Sequence, residues 1–161
     1  MSLAVCPGSY DPVTLGHVDV IRRARSMFDE VVVVVAHNAA KRPLLSVDRR
    51  VELVRRAVAD VHGVSVTPWD GLLADFLTQR GASAVVKGLR GGADVDAELG
   101  MALLNRHLSG VETVFVPGDG ALAHVASSLV KDVARHGGSI DDLVPPGVAE
   151  AVYAALEGGA R

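Results

Sequence analysis

Residues 31–36 read Val-Val-Val-Val-Val-Ala, with no polar side chain to mark an outward face. Successive side chains of a strand point to opposite faces, so a half-exposed strand alternates apolar and polar positions. An unbroken apolar run instead fits a strand buried on both sides, as in a parallel sheet covered by helices. The run is far too short for a bilayer, which takes about 20 apolar residues. Further strand candidates lie at 3–6, 64–67, 84–86 and 113–116, and several are likewise continuous apolar runs. Helical patterns fill the gaps. Residues 18–27 place Ile21, Ala24 and Met27 on one face. Residues 47–61 follow Ser46, a candidate N-cap, and carry Val51, Val54 and Val58 at helical spacing. Residues 72–79 end near Gly81, a candidate C-cap, and 94–108 follow Gly91-Gly92. Residues 128–135 stop before Gly137-Gly138, and a last helix runs through residue 156 after Pro145-Pro146. This alternation predicts an α/β fold with right-handed crossovers and a doubly wound, five-stranded parallel sheet flanked by helices. The expected organisation is one domain over 1–157 and a flexible tail, Gly158-Gly159-Ala160-Arg161.

Composition narrows the partners. The net charge of -3 argues against a general nucleic-acid binder. A single cysteine, Cys6, can make no internal disulfide, and the first residues carry neither a basic n-region nor a long apolar h-region. The expectation is a cytoplasmic protein with no membrane partner.

Ligands of doubly wound sheets sit beyond the carboxyl ends of the strands. The segments expected at that edge are rich in chemistry. After the first strand come Ser9, Asp11, Thr14 and His17, within Pro7-Gly8-Ser9-Tyr10-Asp11-Pro12 and Thr14-Leu15-Gly16-His17. Strand, glycine turn and helix is the arrangement that sets a phosphate on backbone N–H groups. Neither a Walker A loop nor a Gly-x-Gly-x-x-Gly fingerprint is present. After the second strand comes a segment with Lys41, after the fourth Lys87-Gly88-Leu89-Arg90, and after the fifth a loop ending in Ala126-Ser127-Ser128. Cations, amides, hydroxyls and one imidazole make an anion-seeking edge in an acidic protein, and a polyphosphate is its natural occupant.

His17 is the sharpest group. Phosphoryl-type transfer relies on positioning and charge stabilisation, and one donor aimed at the reacting phosphate is worth roughly 3–4 kcal/mol. The helix N-terminus disfavours the imidazolium, whereas bound phosphates favour it. The plain structural alternative is a histidine that caps its own helix. Lys41 reads either as neutralising an incoming nucleophile or as a solvated loop lysine. Lys87 ends an apolar strand where the sheet opens, and Arg90 adds a guanidinium fork. Ser127 and Ser128 read as site hydroxyls or as simple N-caps. Asp94 and Glu98 lie one helical turn apart, set for ribose hydroxyls or equally for pairing with Arg90 or a neighbouring subunit. His62, His107, His124 and His136 show no ligand spacing, so no protein-built metal site is expected.

With these motifs the chain resembles the bacterial phosphopantetheine adenylyltransferases, a family of the nucleotidyltransferase superfamily marked by His/Thr-x-Gly-His. The likeness runs from Val5 to about Pro145. Besides the glycine turn and Thr14-Leu15-Gly16-His17, it rests on Lys41, on Lys87-Gly88-Leu89-Arg90 before Asp94 and Glu98, on Asn105-Arg106-His107-Leu108, and on Ser127-Ser128-Leu129-Val130-Lys131. The resemblance implies a Rossmann-like sheet and reversible transfer of AMP from ATP to 4′-phosphopantetheine. The products would be dephospho-CoA and pyrophosphate. It implies Mg²⁺ carried by the ATP phosphates, a homohexamer, and feedback inhibition by coenzyme A. By the same resemblance His17, Lys41, Lys87 and Arg90 are catalytic. Ser9, Lys41, Leu73 and Lys87 line the phosphopantetheine site. ATP is contacted by Ser9, Tyr10, His17, Gly88, Leu89, Arg90, Glu98 and the loop Leu122, Ala123, His124, Val125, Ala126, Ser127 and Ser128. The chain departs from the family pattern at Val95, Ala97 and Leu122, where aromatics are usual, and at Ala126, where the first of three serines is usual.

Two rival readings keep the fold. One retains adenylyl or cytidylyl transfer but changes the acceptor to nicotinate mononucleotide or glycerol phosphate, against which Lys41 and residues 87–90 argue. The other is a nucleotide- or CoA-sensing module without turnover, motivated by the altered 94–98 and 122–126 segments.

Overall fold

The computed structural model describes residues 1–37, 40 and 42–159. Among these, five strands alternate with helices: β1 (Leu3–Gly8), α1 (Leu15–Met27), β2 (Glu30–Ala36), α2 (Val47–Ala57), β3 (Val64–Trp69), α3 (Leu73–Arg80), β4 (Ala84–Leu89), α4 (Gly92–Ser109), β5 (Glu112–Pro117), α5 (Ser127–Arg135) and α6 (Val148–Gly158). A 3₁₀ turn, Gly120–Leu122, precedes α5. The strands form one parallel sheet in the order β3-β2-β1-β4-β5, the doubly wound topology that the alternation of patterns predicts.

The valine run explains why both faces are covered. Val31, Val33 and Val35 of β2 enter one core with Ala4 and Cys6 of β1. Val32 and Val34 enter the other with Leu3 and Val5. The first core is closed by Ile21 and Ala24 of α1, Val51 and Val54 of α2, Val130 of α5, and Val148 and Val152 of α6. The second is closed by Phe76 and Leu77 of α3, which packs beside α4.

The local signals behave as their chemistry dictates. Ser46 caps α2 by accepting the Arg49 amide at 3.2 Å. Gly81 ends α3 in the left-handed region at φ 60°, where a side chain is strained. Several boundaries differ from the sequence expectation. Helix α1 begins at Leu15, so Gly16 and His17 lie inside its first turn. Helix α2 stops at Ala57 although helical spacing continues, because the chain turns through Gly63 at φ 79° into β3. Residues 87–89 are strand rather than loop. Helix α6 extends to Gly158, and Ala160 and Arg161 of the expected tail lie outside the described residues.

The sheet parts at its centre. β1 and β4 pair only at Ala4–Ala84 and Val5–Val85. Beyond that register the two strands lead into Pro7-Gly8 and Lys87-Gly88. Here the strand order reverses direction, the position at which doubly wound sheets open a crevice.

Candidate active site

A cleft of about 390 Å³ occupies that crevice. Its walls come from the end of β1, the first turn of α1, residues 86–89 of β4 with Arg90 after it, residues 118–119 after β5, and the start of α5.

Thr14 is the N-cap of α1 and forms a reciprocal capping box with His17. The His17 amide donates to Thr14 Oγ1 at 3.3 Å, and the Thr14 amide donates to His17 Nδ1 at 3.0 Å. Nδ1 is therefore the acceptor nitrogen, and a neutral ring carries its proton on Nε2. The capping reading of this histidine is realised at Nδ1, and Nε2–H is left as a donor on a residue that lines the cleft.

Burial, with the nearby Arg90 and Lys87 cations, depresses the His17 pKa from 6.5 to about 4. The ring of the ligand-free protein is neutral at physiological pH. Folding prefers the neutral form, so the unfolded chain binds the extra proton between pH 6.5 and about 4. This histidine therefore contributes stability that is present above pH 6.5 and is lost as pH falls towards 4. An NMR titration of the imidazole should show a neutral Nε2–H tautomer down to about pH 5, with its midpoint near 4. A midpoint at 6.5 would remove the desolvated environment from the account.

Tyr10 buttresses this ring. Its backbone sits at φ 49°, which strains a side-chain-bearing residue. Its hydroxyl donates to the Cys6 carbonyl at 2.9 Å, and its ring lies 4.9 Å from that of His17. Cys6 lines the cleft wall, but burial pushes its thiol up to about 12, so it is no nucleophile.

The cations are held in place by carboxylates. Lys87 Nζ lies 3.2 Å from Glu98. Arg90 forks onto Asp94, with Nη2 to Oδ1 at 3.0 Å, and its amide donates to Asp94 Oδ2 at 2.7 Å. Those bonds hold the Asp94 carboxyl below the usual carboxylate range. The expected pairing with Arg90 is thus realised for Asp94, whereas Glu98 pairs with Lys87 instead. Gly88 is required by packing: a Cβ there would collide with Val20 of α1.

Ser127 and Ser128 line the cleft but do not cap α5. The N-cap is Ala126, and Ser127 is already helical, its hydroxyl donating to the Pro12 carbonyl at 2.8 Å. The first amides of α5 are left without a side-chain acceptor, which suits an anion.

The fold brings together Ser9, Tyr10, His17, Lys87, Gly88, Leu89, Arg90, Glu98, Leu122, Val125, Ala126, Ser127 and Ser128. Leu73, Ala123 and His124 stand outside this lining; Leu73 packs against the second core. Lys41 lies outside the described residues. Sequence reasoning passed over Asp19, whose carboxylate accepts the Asp119 amide at 2.8 Å and ties the loop after β5 to α1. No local pattern points to a bond across 100 positions. It also passed over Arg50, a charged residue only 2% exposed, whose guanidinium donates to backbone carbonyls instead of reaching solvent.

Comparison with known proteins places this geometry. The cytidylyltransferase-like family model matches residues 5–133. A phosphopantetheine adenylyltransferase of Bifidobacterium longum (strain DJO10A) is 56% identical over 147 residues, covering 90% of this chain and 89% of its own. One from Micrococcus luteus is 52% identical over 161 residues, covering 99% of this chain and 100% of its own. Among solved structures, a Vibrio parahaemolyticus protein provisionally assigned as a nicotinate-nucleotide adenylyltransferase superposes with a TM-score of 0.67. That match covers 97% of this chain and 95% of the other at 19% identity, a likeness of fold.

Proposed function

The chain belongs to the cytidylyltransferase-like family and, within it, to the phosphopantetheine adenylyltransferases, and on that premise we propose that its cleft transfers AMP from ATP to 4′-phosphopantetheine. The products are dephospho-CoA and pyrophosphate, in coenzyme A synthesis. The observation that carries this reading is the neutral, Nε2-protonated His17 between Lys87, Arg90 and the uncapped start of α5.

The acceptor phosphate is already ionised at neutral pH, so no general base is needed. One of its oxygens attacks the α-phosphorus of ATP. The bond from that phosphorus to the bridging oxygen breaks, and pyrophosphate leaves with the electron pair. His17 donates Nε2–H to an α-phosphate oxygen as charge builds there. Lys87 and Arg90 leave their carboxylates to meet the phosphates, and Ser9, Tyr10, Gly88, Leu89, Glu98 and residues 122–128 hold the nucleotide. Lys41 and Leu73 serve the acceptor side. Alignment in line, with repulsion between the two phosphates suppressed, is the enzyme's main contribution.

Any Mg²⁺ would be carried by the triphosphate and not by the protein. The carboxylates of the cleft are already engaged: Asp94 by Arg90, Glu98 by Lys87, Asp19 by Arg23 and the Asp119 amide, and Asp119 by the Ala121 amide. Phosphate oxygens are therefore the fitting ligands, and the ion would offset their charge. Helix α4 exposes Leu99, Met101, Leu103, Leu104 and Leu108, apolar area that supports assembly into a homohexamer. Coenzyme A shares the skeleton of the product, which supports feedback inhibition in the same cleft. A buried free thiol supports a cytoplasmic setting; no helix among the described residues is long and apolar enough to cross a membrane.

The test is pyrophosphate release from ATP and Mg²⁺ with and without 4′-phosphopantetheine. Release that depends on the acceptor supports the reading. Tight nucleotide binding with no release under any acceptor would replace enzyme by sensor. Lys41→Ala should raise the KM for phosphopantetheine at least about tenfold while changing that for ATP little, the pattern of lost ground-state binding. Unchanged acceptor kinetics would remove Lys41 from the site.

A further inference from the structure

The mechanism leaves unused a cluster of three buried or largely buried charges beneath the cleft. Arg50, at the start of α2, has no carboxylate within ion-pair distance among the described residues. Its guanidinium spans three carbonyls: Nε donates to Leu45 at 3.1 Å, and Nη1 to Ser9 at 2.7 Å and Ala36 at 3.0 Å. Asp11 is 5% exposed. Its two oxygens accept the Leu44 and Leu45 amides, each at 2.9 Å, and Oδ2 also accepts Lys131 Nζ of α5 at 3.0 Å.

These bonds have a common geometry. Ala36 is the last residue of β2, and Leu44-Leu45 precede α2, so the two points flank Lys41 in the chain. Leu44-Leu45 bond directly to Asp11, and Ala36 is joined to Ser9 through Arg50 Nη1; the turn Ser9–Asp11 leads into His17 on the nucleotide side. Burying a guanidinium and a carboxylate costs free energy that an apolar contact would avoid. What the charges supply and apolar groups cannot is direction: a planar fork that reads three carbonyls at once, and a carboxylate that reads two adjacent amides.

We propose that Arg50, Asp11 and Lys131 are positioning residues that hold both ends of the Lys41 segment at a set distance from the phosphate-binding turn, so that the acceptor phosphate meets the α-phosphate in line. This rests on the acceptor side being formed by that segment. Lys131 makes α5, the turn and the segment one unit, because the same helix also grips Pro12 through Ser127. None of the three side chains lines the cleft.

The experiment uses Asp11→Asn, Lys131→Met, their double variant and Arg50→Lys in the full chain. Hydrogen exchange is read first, without substrate. Asp11→Asn should speed exchange at the Leu44 and Leu45 amides at least about tenfold while leaving the amides of β1 protected. Unchanged exchange there overturns the brace whatever the enzyme's substrate proves to be. Kinetics follow with ATP and 4′-phosphopantetheine. Each single variant should raise the acceptor KM about tenfold and the ATP KM less than threefold, and the double variant should be no worse than Asp11→Asn, since the pair acts as one unit. Equal changes in both KM values, or additive losses, would mean a merely structural role and overturn the proposal. Arg50→Lys keeps the charge but not the fork. It should fold and show the same acceptor-selective loss, which keeps the proposal open to refutation if an Asp11 variant fails to fold. A wild type that releases no pyrophosphate refutes the functional reading alone, because the exchange result stands without it.

Discussion

Replacing His17 by alanine is expected to lower kcat by about 10²–10³-fold, the loss seen when one preorganised donor to a developing oxyanion is removed. The reasoning starts at Nδ1. Because that nitrogen accepts the Thr14 amide, the neutral ring has one donor, Nε2–H, and its direction is set by the capping box. A donor fixed in advance costs no reorganisation when charge appears on the α-phosphate. ATP affinity should change much less, because Lys87, Arg90 and the start of α5 remain to bind the ground state. Steady-state kinetics with a separate ATP-binding measurement checks both halves. An equal loss in kcat and in ATP affinity would make His17 a binding group only. His17→Ala also deletes one half of the capping box, so thermal unfolding should be followed alongside; a cap is worth about 1 kcal/mol.

Gly88→Ala is expected to have the second largest effect. Gly88 lies in β4, not in the left-handed region, so its backbone tolerates alanine. The added methyl nevertheless meets Val20, three residues after His17 on α1. The Val20 side chain, helix α1 or β4 must give way. Overpacking of this kind typically costs about 1–3 kcal/mol of stability. The activity loss should be greater, because a shift of about 1 Å in a reacting constellation costs on the order of 10²-fold. Both sides of the contact carry the site: Lys87 and Arg90 flank Gly88, and His17 shares a helix with Val20. Adding Val20→Ala to Gly88→Ala removes the colliding branch and should restore much of the activity. Wild-type turnover in the single variant, or no recovery in the double, would show that the close approach of α1 to β4 does not position the site.

The fold was largely legible from the chain. Continuous valines in residues 31–36 require cover on both faces, and the strand–helix alternation leaves few ways to provide it. The turn from Ser9 to His17 was legible as a capped strand-to-helix turn because its signals are local: small residues, a cap, a histidine three positions after it. Residues 87–89 were expected as loop but extend β4, since glycine and lysine carry weak strand signals that pairing with Phe115 and Val116 overrides. Ser127 and Ser128 read as candidate caps because they stand before a helical pattern. In three dimensions the helix takes Ala126 as its cap and turns the Ser127 hydroxyl towards Pro12, a residue 115 positions away.

That last bond marks the division. Propensity, periodicity and capping act over three or four residues, so the sequence alone determined the order of elements, the parallel sheet and the edge at which the cleft opens. Which nitrogen of His17 carries its proton, which carboxylates hold Lys87 and Arg90, and how Asp11 joins Lys131 across 120 positions depend on distances that exist only after the sheet has closed. Those interactions act over a few ångströms in space and any distance along the chain. Only the tertiary structure could therefore decide them.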